Sequence, residues 1–381
     1  MRARKTVLIL TLLLVPGLAM EGFAQEEKEW GYNKGFFFRT PEFEMKISTR
    51  TQFRFVHADF DEASTFEDRG EFSIPRARLR LDGYAFFPWF KYKVQYDFTG
   101  RAYATASSLV IPDTGGTFSL STRSGPDLRD LYFDITRNPW ASVRLGQFKA
   151  PFGIQELTSS GDQEFVDRSI VSALFAPSRE LGTMLWGTSF EKKFGYEIGV
   201  FNGNGRNAVA NDNDKLMYAA RVHWDPAGEY KLSESAVDHP DKANWTVGAS
   251  YLLNSTDLAG DLDIESEEVF FGLKYKRLFV LANGYARTLE TTTAETDQDG
   301  YLAQVGFFFV PRKLEVALRW ARLDPDTDVD DNEQTEERVA LGWFFSKHDL
   351  KFQADYGRIE NEASAADNTT YQFRAQLQVV F

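Results

Sequence analysis

The chain has 381 residues, a formal net charge of −13 and no cysteine, which excludes disulfides, cysteine-ligated metals and lipid attachment to a cysteine. No run of about 18 apolar residues follows the first 24, so a membrane-spanning helix is excluded. Mean hydropathy is only −0.38, yet 15% of residues are aromatic, with 34 Phe against 5 Met. This composition favours a transmembrane β-barrel with one lipid face and one wet face; a secreted all-β protein is the alternative.

The N-terminus carries the features of an export signal. Arg2, Arg4 and Lys5 precede an apolar stretch from residue 7 to 15, and Gly22-Phe23-Ala24 offers a small-x-small cleavage site. This predicts a signal peptide over 1–24 and a mature domain over 25–381; cleavage after Ala19 is the alternative. Only residues 25–44 precede the first predicted strand, so we expect no separate plug domain.

From residue 45 onward, segments of about ten residues alternate between apolar and polar side chains, the pattern of strands with one greasy and one wet face. In the first, Ile47 and Phe53 share one phase while Arg50 and Arg54 share the other. The sixteen predicted strands are 45–57, 74–84, 90–98, 128–136, 140–149, 183–191, 194–201, 217–225, 244–253, 267–276, 277–287, 300–310, 313–322, 337–346, 349–357 and 371–381. The last ends on Phe381, and a terminal aromatic residue is typical of outer-membrane barrels.

Loop lengths alternate along the chain. Odd-to-even connections such as 99–127 and 150–182 are long and polar, whereas even-to-odd connections such as Pro311-Arg312 are tight. Long loops outside and short turns in the periplasm are typical of outer-membrane barrels. We therefore predict an all-β fold, a transmembrane antiparallel barrel of 16 strands in the outer membrane of a Gram-negative bacterium. Such a barrel is wide enough for an aqueous channel. The segment 226–243 breaks the parity and has no explanation in the sequence.

Several motifs resemble the phosphate-selective porin O and P family. They are Pro75-Arg-Ala-Arg-Leu-Arg-Leu-Asp-Gly83, Lys91-Tyr-Lys-Val-Gln-Tyr-Asp97, Val143-Arg-Leu-Gly-Gln-Phe-Lys-Ala-Pro-Phe-Gly153, Glu156-Leu-Thr-Ser-Ser160, Ala173-Leu-Phe-Ala-Pro177 and Arg179-Glu-Leu-Gly182. The resemblance implies a third extracellular loop folded into the barrel, basic residues on the lumen wall that attract anions, and a homotrimer. It also places Lys149 and Arg168 near the constriction.

Basic residues occupy the polar phase of the first three strands and are expected to line one stretch of inner wall. The candidate channel-lining and anion-binding residues are Arg50, Arg54, Arg76, Arg78, Arg80, Lys91, Lys93, Arg144, Lys149, Arg168 and Arg179. A guanidinium fork suits phosphate oxygens, and lysine supplies a point charge. The alternative is an ordinary porin wall whose charges are balanced, since Asp82 and Asp97 are at hand. The third loop is itself more acidic than basic, which argues against a simple phosphate trap.

The sequence predicts a porin for small, anion-preferring solutes such as phosphate, with a general diffusion porin as the alternative. Four scattered histidines and no recognisable catalytic motif give no site for catalysis, metal or cofactor, although an outer-membrane enzyme and a passive structural barrel stay open. Residues 324–333 alternate carboxylates but have Val329 and Thr335 where a calcium loop needs Gly and Glu. We interpret them as a solvated loop, with divalent-ion bridging to lipopolysaccharide as the alternative. The expected partners are outer-membrane lipid, lipopolysaccharide and small anions, and no nucleic acid.

Overall fold

The structure is a computed structural model that describes residues 29–60, 67–99, 126–189, 191–208, 210–257, 261–362 and 368–381. The predicted signal peptide lies outside these residues. The strands in the described part are β1 (Glu29–Tyr32), β2 (Phe36–Arg39), β3 (Phe43–Phe60), β4 (Arg69–Ala85), β5 (Phe87–Asp97), β6 (Asp127–Asn138), β7 (Ala141–Lys149), β8 (Arg179–Ser189), β9 (Phe194–Phe201), β10 (Met217–Trp224), β11 (Asn244–Thr256), β12 (Leu262–Tyr275), β13 (Leu278–Glu290), β14 (Glu295–Val310), β15 (Leu314–Asp324), β16 (Gln334–Ser346), β17 (Leu350–Asn361) and β18 (Asn368–Val380).

Strands β3 to β18 form a closed antiparallel barrel. Each pairs with the next along the chain, and β18 pairs with β3, for example Gln376 opposite Arg54. The prediction of sixteen barrel strands is confirmed, and each predicted segment overlaps one strand. The alternation explains why: in β18, Leu377 is 41% exposed on the outer face while Gln376 is 2% exposed on the inner face.

The N-terminal residues extend the barrel wall beyond the end of β18. β1 and β2 form an antiparallel pair, and β2 continues along β3, with Phe36 opposite Ile47 and Arg39 opposite Glu44. The Lys34 ammonium in their connection lies 2.8 Å from the Asp349 carboxylate in the turn between β16 and β17. The alternation pattern predicts no strand before residue 45 and therefore misses this hairpin.

Several of the long connections are shorter than the sequence indicated. β11 and β12 pair as far as Thr256 opposite Leu262, and β13 and β14 pair as far as Glu290 opposite Glu295. These strands therefore run into stretches that we expected to be loops. The reason is that backbone pairing continues where both faces of a hairpin are polar, so alternation fades before the ladder ends. The short turns at 311–313 and 347–349 are present as expected.

The connection between β7 and β8, residues 150–178, contains the helices α1 (Ile154–Leu157) and α2 (Ile170–Phe175). Neither of these helices is long and apolar enough to cross a membrane. This segment, called loop 150–178 below, packs Phe152, Val171 and Phe175 against inward-facing apolar residues of β12 to β15, including Phe270 and Tyr285. Burying such side chains is worth about 1.5–3 kcal/mol each. The loop is therefore held by a hydrophobic core of its own.

Inner-wall carboxylates also fix the backbone of loop 150–178. Glu268 on β12 accepts hydrogen bonds from the Gly153 and Ile154 N–H groups at 2.9 and 2.8 Å. Asp355 on β17 accepts one from the Val166 N–H at 3.0 Å, and Glu336 on β16 accepts one from the Ile170 N–H at 3.0 Å. These carboxylates stand on three separate strands, so the loop is fastened along much of the wall.

The segment 226–243 reaches the same region from the short-turn rim. Its Glu234 carboxylate accepts hydrogen bonds from the Gln155 amide at 3.1 Å, the Glu164 N–H at 3.0 Å and the Gln304 amide at 3.0 Å. The Glu234 N–H donates to the Asp162 carbonyl at 2.7 Å. Its Val237 packs with Phe308 and Phe344. The sequence offers no explanation for this segment; in the structure it supports loop 150–178 from the side of the short-turn rim.

Candidate solute pathway

A cavity of about 360 Å³ lies between loop 150–178 and the wall formed by β3 to β9. Its lining contains ten basic side chains and three acidic ones. The basic residues are Arg50, Arg76, Arg78, Arg80, Lys93, Arg129, Arg144, Lys149, Arg168 and Arg179. The acidic residues are Asp130, Asp162 and Glu197. The opposite half of the wall, β12 to β18, carries the hydrogen bonds to loop 150–178 described above, so the open space lies on the basic side.

The arginines of β4 form the column that the alternation indicated. Arg76, Arg78 and Arg80 are spaced two residues apart on one strand and all line the cavity. At a rise of about 3.3–3.4 Å per residue, neighbouring Cα atoms stand roughly 7 Å apart. That spacing is below a Debye length of about 8–10 Å at moderate salt, so the three fields overlap for an ion in transit.

Most lining cations have a carboxylate partner placed outside the cavity lining. Arg78 lies 2.8 Å from Asp97, which is fully buried, and Arg144 lies 2.7 Å from Asp134. Arg80 lies 2.6 Å from Asp82. These cations therefore lie closer to the cavity than their partner acids do, so the field in the cavity is positive but partly neutralised.

Arg50 differs from the other lining arginines. Among the described residues it makes no ion pair within 4.0 Å; its guanidinium donates a weak 3.4 Å hydrogen bond to the Ser160 hydroxyl. A Cβ atom at Gly161 would lie 2.5 Å from the Arg50 guanidinium carbon, so the group rests directly on the loop backbone. Its Nε has no hydrogen-bond partner. Arg50 is thus a lining cation without a direct ion pair among the described residues, and Asp162, which shares both cavity linings, is a nearby acid whose charge acts on it.

Two acids of loop 150–178, Asp167 and Glu156, are bound to arginines. Asp167 lies 2.8 Å from Arg54 and 2.9 Å from Arg76. Burial alone would raise the pKa of Asp167, but these two guanidinium groups hold that pKa well below its usual range. Burial likewise opposes ionisation of Glu156, and Arg168 and Lys149 outweigh it and lower its pKa. Asp167 and Glu156 are therefore ionised and act as anchors for basic residues.

Nine of the eleven predicted site residues line the cavity, and two do not. Arg54 is buried against Asp167, the Gln376 amide and the Val166 carbonyl, so it clamps the loop. Lys91 shares the phase of Lys93 but lies one step nearer the short-turn rim, opposite Asp134, and is exposed away from the cavity. Shared phase placed both on the inner wall without fixing their height along it.

The sequence missed several lining residues, above all on β6. Arg129 and Asp130 are adjacent in the chain, yet both are buried, which strict alternation forbids. The cause is a register shift of β5 against β6 at Gln95 and Tyr96. A bulge of this kind turns two successive side chains to one face and leaves no clear mark in the sequence.

A second cavity of about 210 Å³ continues from the first toward the short-turn rim. The two share Arg50, Arg78, Arg80, Gln95 and Asp162 in their linings. The second is further lined by residues of the N-terminal hairpin, of β3 and of the segment 226–243, namely Lys34, Lys46, Lys231 and their neighbours. The shared residues mark the place where both spaces meet.

Arg322 pairs with acidic side chains at the base of the connection 325–333. The Arg322 guanidinium contacts the carboxylates of Asp299, Asp324 and Glu333. Within the described ranges, no group of three or more His, Asp or Glu side chains is arranged to hold a metal ion.

The sequence model of the phosphate-selective porin O and P family matches residues 49–381, which is most of the chain. An uncharacterized protein of Aquifex aeolicus (strain VF5) is 23% identical over 373 residues, covering 87% of this chain and 86% of that protein.

Solved structures show the same fold at low sequence identity. The anion-selective porin from Comamonas acidovorans is 11% identical, with a TM-score of 0.59 over 88% of this chain and 100% of that one. The outer membrane channel DcaP of Acinetobacter baumannii is 12% identical, with a TM-score of 0.59 over 88% of this chain and 97% of that one.

Proposed function

The chain belongs to the phosphate-selective porin O and P family, and on that premise we propose that it forms an anion-preferring channel for small hydrophilic solutes. The sixteen-stranded barrel is an outer-membrane porin, and membership of this family indicates that it forms a channel. What the family alone leaves open is which ions and solutes pass.

The cavity lining carries the anion preference: ten basic side chains against three acidic ones. Ions confined between low-dielectric walls feel such a field more strongly than ions in open water. The pairing of most arginines with acids behind them is the argument for the alternative, a general diffusion porin. Arg50 favours the anion-preferring channel over the general diffusion porin, because its charge has no acidic partner within 4.0 Å among the described residues.

We further propose that loop 150–178 is the constriction. Its contacts to β12–β18 on one side and to Arg54, Arg76 and Arg78 on the other support this placement. The hydrophobic core beneath α2 would keep the constriction at a fixed width. The wall carboxylates that accept hydrogen bonds from backbone N–H groups of the loop would have the same effect.

The remaining parts of the proposal concern export and assembly. Residues 1–24 direct the chain through the inner membrane, the mature domain 25–381 inserts among outer-membrane lipid and lipopolysaccharide, and three copies assemble into a homotrimer, as the family resemblance implies. The transported solutes are small anions, phosphate among them. The protein is not an enzyme, and purified protein is expected to be inactive in lipase, protease and phosphatase assays.

Planar-bilayer recording tests the proposal. We expect discrete single-channel steps and, across a KCl gradient, a reversal potential displaced toward that of chloride. A reversal potential displaced toward that of potassium would contradict the anion preference while leaving the channel in place. A folded barrel that gives no steps would contradict the channel itself.

A further inference from the structure

Aromatic side chains line part of an inner wall where alternation predicts polar ones. Tyr132 on β6, Phe148 on β7 and Phe201 on β9 face inward in an edge-to-face series, with ring centroids 6.0 and 5.3 Å apart. Phe148 and Phe201 are each 1% exposed. Phe148 and Phe201 belong to the hydrophobic core that holds loop 150–178, and Tyr132 packs against that core, so the series brings apolar surface to the edge of the lumen.

Glycines on two neighbouring strands make room for the Phe201 ring. A Cβ atom at Gly182 would lie 2.6 Å from the Phe201 ring, and one at Gly199 would lie 2.4 Å from it. A Cβ at Gly182 would also lie 2.2 Å from the Val200 carbonyl oxygen, so the packing of the Phe201 ring requires glycine at both positions. Because β8 and β9 carry glycine at these two positions, the Phe201 ring lies against the strand backbone.

This apolar surface reaches the basic cavity. Tyr132, Leu157 and Leu232 are half-buried, line the cavity together with the arginines, and come from β6, loop 150–178 and the segment 226–243. One face of the Tyr132 ring is covered by the Arg144 guanidinium, 4.0 Å from its centroid. Such stacking holds a cation directly beside apolar surface.

A lining with these two characters selects for chemistry. Inorganic phosphate or chloride contacts water or cations over its whole surface and loses hydration against an apolar wall. An anion with a compact charged head and a flat apolar body can place the head among the arginines. Its body can then remove apolar surface of Tyr132, Leu157 and Leu232 from water.

We propose that the constriction binds aromatic organic anions, such as aryl carboxylates, in preference to aliphatic or inorganic anions of the same charge. The head is held by Arg50 and Arg80, and the ring lies against Tyr132, Leu157 and Leu232. This rests on the proposed anion channel and names the class of solute for which its constriction is built.

The test compares benzoate with acetate, which carry the same carboxylate. Each is added to wild-type channels in planar bilayers while chloride current is recorded. Benzoate is expected to reduce the chloride current at roughly tenfold lower concentration than acetate. Equal potency, with chloride still favoured over potassium, would overturn this inference and leave the anion channel standing. Loss of the chloride preference in the wild type would instead contradict the proposed function.

Variants locate the effect. Leu157→Ser and Leu232→Ser are each expected to raise the benzoate concentration needed for block roughly threefold more than the acetate concentration needed for block in the same channel. Leu174→Ser is the matched control, because Leu174 is also half-buried in loop 150–178 but does not line the cavity. Where a serine variant fails to give the heat-modifiable folded form, Leu157→Ala replaces it. Unchanged benzoate block in folded Leu157 and Leu232 variants would overturn the assignment.

Discussion

Replacing Arg50 with Gln is the sharpest single change that the structure offers for ion selectivity. Arg50 lines both cavities and makes no ion pair within 4.0 Å among the described residues, so its removal breaks no direct ion pair there. Arg78→Gln would be harder to interpret, since it strands the fully buried Asp97. Breaking such a buried pair costs about 3–5 kcal/mol, and the loss of fold would mask any change in selectivity.

The size of the effect follows from Coulomb's law. An anion passing about 5 Å from the guanidinium gains about 0.8 kcal/mol at the dielectric constant of water and about 3 kcal/mol at an effective value of 20. Since 1.4 kcal/mol is tenfold, the lower figure corresponds to about a fourfold change in permeability. We therefore expect Arg50→Gln to lower the chloride-to-potassium permeability ratio at least about fourfold at low salt. At about 1 M salt the Debye length falls to about 3 Å and the difference should shrink.

Reversal potentials across a KCl gradient measure this ratio directly. Arg50→Lys keeps the charge and is expected to stay near the wild type. Arg358→Gln removes one positive charge from the exposed outer face, where Arg358 pairs with Glu337, and should have no effect. A folded Arg50→Gln channel with wild-type selectivity would refute the reasoning and favour a general diffusion porin whose wall charges are fully balanced.

Three further outcomes are expected. Thiol probes outside intact cells should label a cysteine placed within 324–333 but not one placed at Arg312; the reverse pattern would overturn the orientation. Phe381→Ser should leave protein unassembled in the periplasm, because Phe381 is half exposed where the lipid-facing aromatic girdle is expected; normal amounts of heat-modifiable protein would count against this. Burial, with Glu315 and Glu234 nearby, raises the pKa of Glu164 well above its usual range, so its folded carboxyl keeps a proton that the unfolded one releases. Stability should therefore fall as pH rises from about 4 toward neutral, and Glu164→Gln should flatten that slope in thermal unfolding; an unchanged slope would contradict the assignment.

The strands could be predicted because lipid outside and water inside impose alternation on every one of them. β18 shows this plainly, with Leu377 outside and Gln376 inside. Strand ends were less predictable, because hairpins such as β11–β12 continue pairing where both faces are polar. Alternation gives the phase of a side chain and says little about its height, which is why Lys91 missed the cavity.

The interior could be predicted only in part. The β4 arginine column followed from phase, but the bulge at Gln95 brought Arg129 and Asp130 to one face without a sequence signal. The role of the segment 226–243 depends on Glu234 meeting Gln155 and Glu164, residues about 70–80 positions away in the chain. Contacts at such separation are set by closure of the barrel, and no local pattern encodes them.

The central claim is that the electrostatic field at the constriction is positive, and it can be tested at a single introduced thiol group. The chain has no cysteine, so Ser159→Cys, in loop 150–178 on the cavity lining, provides a single thiol. Anionic and cationic methanethiosulfonate reagents of similar size are compared by their labelling rates, with the exposed outer position Thr292→Cys as the control. The structure predicts that the anionic reagent labels Ser159→Cys roughly tenfold faster than the cationic one, with no such preference at Thr292→Cys. Equal rates at Ser159→Cys, or faster labelling by the cation, would contradict the account.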